Sequence, residues 1–122
     1  MNKILIVDDA LFMRNLIREA LEPLGIQIVG EAENGTDAVD KFRSLTPDLT
    51  TMDIIMPEMD GIQALKAIRE MSNHAKVIMI TAVDQRDAML QAMKLGVSDF
   101  IVKPFDDKRV ISAVEKALER TM

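Results

Sequence analysis

The residues able to do polar chemistry stand at the ends of short apolar runs. Asp8 and Asp9 follow the run 4–7, Glu31 or Glu33 follows 26–29, and Asp53 interrupts 49–55. Thr81 follows 76–80, and Lys103 follows 100–102. If these ends converge, carboxylates, a hydroxyl and an amine share one site. Two carboxylates about 5 Å apart repel by roughly 3 kcal/mol at an effective dielectric near 20, equivalent to about two pKa units. Positive charge is therefore required among them. Lys103 offsets one charge. A hard divalent cation offsets more, and carboxylate and carbonyl oxygens with retained waters are the ligand set of Mg2+, the expected cofactor. A cation, an ammonium and a hydroxyl together suit a phosphoryl group, whose oxygens each can neutralise or hydrogen-bond. A carboxylate can then attack phosphorus, and Asp53, at the end of the central run, is the expected nucleophile.

Each residue also has a plainer reading. Asp8 or Asp9 can cap the following helix, Thr81 can be an ordinary β-branched strand residue or a helix cap, and Lys103 can be solvated surface. Asp53 resists such a reading, because an ionisable group ending an apolar strand is costly unless it is paired. His74 lies among polar neighbours in a predicted loop and receives no role.

The elements that must hold these residues follow from hydrophobic period. Continuous apolar runs at 3–7, 26–29, 49–55, 76–80 and 100–102 read as strands buried on both faces. Between and after them, helical spacing predicts helices over 11–24, over Ala38 to Leu45 and up to Pro47 after a turn at Asn34-Gly35, from Gly61 to about 71, over 84–95 and over about 107–120. Alternating strands and helices imply right-handed crossovers, hence a doubly wound α/β fold with a parallel sheet of five strands and helices on both faces. In such sheets ligands sit beyond the carboxyl ends of the strands, where these polar residues lie.

Composition narrows the function. The 122 residues suit one domain, expected to span 1–122. With 48% apolar and 29% charged residues the chain can build a core. It has no cysteine, which excludes disulfides, thiolate metal sites and Cys nucleophiles. A net charge of -5 argues against binding DNA, and the run at 4–7 is too short for a signal sequence or membrane span. A cytoplasmic monomer without membrane insertion is expected. No GxGxxG or Walker loop is present, so nucleotide binding is unsupported.

The stretches Ile4-Leu5-Ile6-Val7-Asp8-Asp9, Met52-Asp53-Ile54-Ile55-Met56-Pro57-Glu58-Met59-Asp60-Gly61, Ile80-Thr81-Ala82 and Phe100-Ile101-Val102-Lys103-Pro104-Phe105 together resemble the receiver domain of two-component response regulators. More narrowly, Asp8 to Arg14, Thr51 to Asp53 and Asp99 to Phe105 are similar to stand-alone chemotaxis regulators. The resemblance implies a flavodoxin-like sheet in the order 2-1-3-4-5. It implies that Asp53 accepts a phosphoryl group from a sensor histidine kinase, the chemotaxis kinase CheA being the expected donor. Mg2+ would be held by Asp9, Asp53 and the backbone carbonyl of Ile55, with Asp8 acting through water. Lys103, preceding an expected cis bond to Pro104, would pair with the phosphoryl oxygens, and Thr81 would move to hydrogen-bond one of them.

The same resemblance makes Phe100 the switch residue, turning inward as Thr81 moves, although a plain core role is open to it. Met89 and Met93, four apart on the helix 84–95 and away from the face of Ala88, Ala92 and Leu95, are candidate contacts for a downstream target such as the flagellar motor switch; core packing is the competing reading. Ile55 and Val83 replace polar residues found in some relatives, and both would shield an acyl phosphate from water. Turnover of an external substrate is not expected, because aspartyl-phosphate phosphatases carry a second Asp where Ile55 stands. A flavodoxin-like electron carrier is disfavoured by the absence of Trp and Tyr. A phosphorelay intermediate and a receiver cut from a longer regulator remain open.

Overall fold

The computed structural model describes residues 2–82 and 85–119. Its strands are β1 (Lys3–Val7), β2 (Gln27–Ala32), β3 (Leu49–Met52), β4 (Val77–Ala82) and β5 (Asp99–Lys103). Its helices are α1 (Leu11–Leu21), α2 (Gly35–Leu45), α3 (Gly61–Met71), α4 (Arg86–Lys94) and α5 (Asp107–Ala117), with a 3-10 turn at Glu22–Leu24. The strands form one five-stranded sheet in the order β2-β1-β3-β4-β5, and every pairing is parallel. The order expected from the resemblance is therefore observed.

Apolar residues alternate between two cores because successive strand side chains point to opposite faces. Leu5, Val7, Met52, Val77 and Met79 pack with Ala38, Leu65, Ile68 and Ala92 on the side of α2, α3 and α4. Ile4, Ile6, Leu49, Ile78 and Ile80 pack with Ile17, Leu21, Val110 and Val114 on the side of α1 and α5. Both faces are thus covered, which is why the strands read as nearly unbroken apolar runs.

Several boundaries differ from the sequence expectation. β3 ends at Met52, not at residue 55, because its partners run out at Val7↔Met52 and Met52↔Met79. Ile54 then turns into the core while Ile55 is 58% exposed. β2 starts and ends later than 26–29 and includes Glu31, which an edge strand half open to solvent tolerates. α1 tightens into the 3-10 turn at Pro23, whose missing N–H cannot continue the α-helical ladder. The fourth helix is described from Arg86 and the fifth to Ala117; Asp84 and Arg120 lie outside the described residues.

Three helices begin with a capping side chain. Asn34 accepts from the Asp37 N–H, Asp60 forms a reciprocal capping box with Gln63, and Asp106 accepts from the Arg109 N–H. No described helix is long and apolar enough to cross a membrane.

Candidate functional site

The carboxyl ends of β1, β3, β4 and β5 meet at one edge of the sheet. Asp8 follows β1 and is 1% exposed; Asp53 follows β3 and is 7% exposed. Carboxylate oxygens of Asp8, Asp9 and Asp53 lie within 4.8 Å of one another. Lys103, the last residue of β5, donates from Nζ to Asp8 Oδ2 at 2.8 Å and to Asp53 Oδ2 at 3.2 Å. Thr81, buried near the end of β4, pairs with Val102 in the β4–β5 ladder, one step before Ala82 pairs with Lys103. Its hydroxyl is close enough to Asp53 to favour the charged form of that carboxyl. The convergence inferred from the strand ends is therefore present for Asp8, Asp9, Asp53, Thr81 and Lys103. Glu31 and Glu33 stand apart from the carboxylate cluster. Glu31 binds Arg14 and Arg18 instead, and exposed Glu33 is 3.8 Å from Arg14.

The capping alternative does not describe the acidic pair. The residue at the start of α1 is Ala10, and no side chain caps it. Asp8 instead reaches forward along the chain, its Oδ1 accepting the Ala10 N–H at 2.9 Å. Asp53 likewise accepts from the Ile54 N–H, at 2.7 Å through Oδ1. Thr81 caps nothing either, since Gln85 precedes α4.

The electrostatics follow from this crowding. Burial, and then the charge of Asp8, push the Asp53 carboxyl above its ordinary value, while Lys103 and Thr81 pull it down. Burial works to lower Lys103, yet the hydrogen bond to Asp8 and the Asp53 charge hold it above the ordinary lysine value. One ammonium thus shares two buried carboxylates, and a third carboxylate, Asp9, is exposed with no hydrogen-bond or ion-pair partner among the described residues. An all-oxygen donor set with one uncommitted, solvated member fits a hard divalent cation that keeps part of its water shell.

The remaining expected residues lie around this pocket. The Lys103–Pro104 bond is cis. Phe100 is half-buried, packed against the core under α2, α3 and α4. Met89 is half-buried, whereas Met93 is 61% exposed beside Leu90 at 51%. The two methionines therefore do not share one environment. His74 is exposed. Val83 lies outside the described residues.

Sequence reasoning gave no role to Arg14, which is 7% exposed and donates to the backbone carbonyl of Asp8 at 2.7 Å. A signal was available: Arg14 precedes Ile17 and Leu21 at helical spacing, so an arginine occupies the inward side of α1.

Residues 4–115 match the response regulator receiver domain. The chain belongs to the response regulator receiver family. Among receivers it is similar to the chemotaxis protein CheY of Bacillus subtilis, 50% identical over 117 residues that cover 96% of this chain and 98% of the relative. It is 46% identical to CheY of Thermotoga maritima over 114 residues, covering 93% of this chain and 95% of that one. In structure it resembles the CheX-CheY-BeF3-Mg2+ complex of Borrelia burgdorferi, with a TM-score of 0.90, 35% identity, and coverage of 94% of this chain and 87% of that chain. The sheet order expected from the sequence resemblance is the order observed, and the acidic cluster stands at the carboxyl edge of that sheet.

Proposed function

We propose that this receiver is a stand-alone, CheY-type signalling protein, one domain over 1–122, in which Asp53 is the phospho-acceptor. The carrying observation is the juxtaposition of Asp8, Asp9 and Asp53 within 4.8 Å under a lysine bonded to two of them. Half-identity to CheY over nearly its full length supports the chemotaxis assignment.

In this reading a carboxylate oxygen of Asp53 attacks the phosphorus of a phosphohistidine on a sensor histidine kinase, the chemotaxis kinase CheA being the proposed donor. The N–P bond breaks as the acyl phosphate forms, and the histidine nitrogen leaves with the bonding pair. Asp9, Asp53 and the Ile55 carbonyl, with Asp8 acting through water, would hold Mg2+, which when bound supplies positive charge against the phosphoryl oxygens. Asp53 is freed for attack when Lys103 transfers its hydrogen bond from the carboxylate to a phosphoryl oxygen. The Thr81 hydroxyl then turns to another. Beryllofluoride and magnesium in the complex of the Borrelia relative are consistent with this chemistry.

Output follows from a two-state equilibrium biased by the new charge. Phe100 occupies the space that Thr81 vacates, and the face carrying Met93, Leu90 and Val102, exposed at 61%, 51% and 39%, changes affinity for a downstream target such as the flagellar motor switch. The protein works in the cytoplasm as a monomer and turns over no external substrate. The decisive experiment is intact mass after incubation with acetyl phosphate, with and without Mg2+, for the native chain and Asp53→Asn. A magnesium-dependent gain of one phosphoryl group, absent in the variant, is expected; no gain in the native chain overturns the reading.

A further inference from the structure

Arg14 is the buried charged group that the proposed chemistry leaves unused. Its Nη1 donates to the Asp8 carbonyl oxygen at 2.7 Å, and its Nε donates to Glu31 Oε1 at 2.7 Å. Glu31 is itself gripped by Arg18, through Nη2 at 2.6 Å and Nε at 3.1 Å, and its own carbonyl accepts from Lys41. The guanidinium is thus fixed at both ends, to an anchored carboxylate on β2 and to the main chain at the end of β1.

The bond to Asp8 has geometric leverage. The Asp8 carbonyl belongs to the rigid peptide plane joining Asp8 to Asp9. Holding its oxygen sets the torsion after the Asp8 Cα and the torsion before the Asp9 Cα. Those torsions decide where both carboxylates point. On the other side, the Asp8 N–H donates to Ala32 at 3.0 Å, and Asp8 Oδ1 accepts from Ala10.

We infer that Arg14 is a positioning residue for the divalent-cation site, holding Asp8 and Asp9 in register through the Asp8 carbonyl. The inference rests on the cation reading given above and adds a residue to it that touches neither cation nor phosphoryl group.

Charge alone makes the opposite forecast. Removing a cation near a cation site, and leaving Glu31 less compensated, strengthens Mg2+ binding by Coulomb's law. Loss of positioning weakens it. Arg18 is the internal control, since it has the same charge and shares Glu31 but makes no hydrogen bond to Asp8.

The test is calorimetric titration of Mg2+ into the native protein, Arg14→Met, Arg14→Lys and Arg18→Met, with folding checked by circular dichroism. Arg14→Met is expected to weaken Mg2+ binding about tenfold, with Arg18→Met within about twofold of native. Arg14→Lys is also expected to bind weakly, because one ammonium cannot span the carbonyl and Glu31 as the planar fork does. Unchanged or tighter binding in Arg14→Met, or equal weakening in Arg18→Met, overturns the inference. If Arg14→Met does not fold, Arg14→Lys decides: weakened binding supports positioning and native affinity overturns it. Absence of Mg2+ binding in the native protein overturns the cation reading itself, and this inference with it.

Discussion

A Cβ added to Gly61 would stand 2.0 Å from the backbone carbonyl oxygen of Asp53. The start of α3 therefore touches the residue following β3 through bare backbone, and the Gly61 N–H donates to the Ile54 carbonyl at 2.7 Å. The contact folds the loop 54–60 tightly beneath the acidic pocket. It explains why glycine stands here with no need of a positive φ.

Gly61→Ala forces backbone apart rather than a flexible side chain. It is expected to destabilise the fold by about 2 kcal/mol and to slow phosphorylation by acetyl phosphate by shifting Asp53. Urea unfolding and intact-mass time courses check the two effects; native stability in the variant contradicts the contact.

Asp53→Asn is expected to stabilise the protein at neutral pH. Burial and the Asp8 charge raise the Asp53 carboxyl above its ordinary value of 3.8, so the folded state holds this proton more tightly than the unfolded chain. The stability contributed by the group is fully present below the unfolded value and is lost as pH rises through the folded one. Near pH 7 the variant lacks that unfavourable charge and should melt a few degrees higher; near about pH 3 the difference should vanish. Thermal melts at the two pH values give the comparison, and a variant less stable at neutral pH would reverse the sign.

Lys103→Met leaves Asp8 and Asp53 facing each other without the ammonium that bonds both. A loss of about 2 kcal/mol is expected, below the range for a fully buried pair because the lysine retains some solvent contact. Mg2+ should restore more stability to this variant than it adds to the native protein. Urea titrations with and without the cation measure both, and equal cation effects would count against a shared site.

On the proposed phospho-acceptor reading, Ile55 and Val83 are expected to lengthen the lifetime of the phosphorylated state. Ile55 is 58% exposed two residues beyond Asp53, and an apolar side chain there offers an attacking water no hydrogen bond. The double variant Ile55→Asn, Val83→Glu is expected to lose its phosphoryl group several-fold faster. Decay of the phosphorylated mass after removal of acetyl phosphate follows the rate, and decay no faster than native removes the shielding argument.

Asp53 was legible from its own chain because a carboxylate closing an apolar run has few structural explanations, and alternating runs and helices pointed to a parallel sheet. Phe100 was legible as an aromatic of the fifth strand, but its half-burial against the α4-side core depends on neighbours distant in sequence. Helical spacing alone grouped Met89 with Met93; packing gave them different exposure.

Local periodicity determined the element types, the alternation of strand and helix and the polar residues at strand ends, since side-chain direction repeats every 2 or about 3.6 residues whatever lies elsewhere. Tertiary structure decided which ends meet. Register ended β3 at Met52, sent Glu31 to Arg14 and Arg18, and brought Lys103 across 95 positions to Asp8. It also joined Arg14 to a main-chain oxygen. Every residue except proline offers the same carbonyl and N–H, so a contact made to backbone leaves no mark on the sequence of its acceptor.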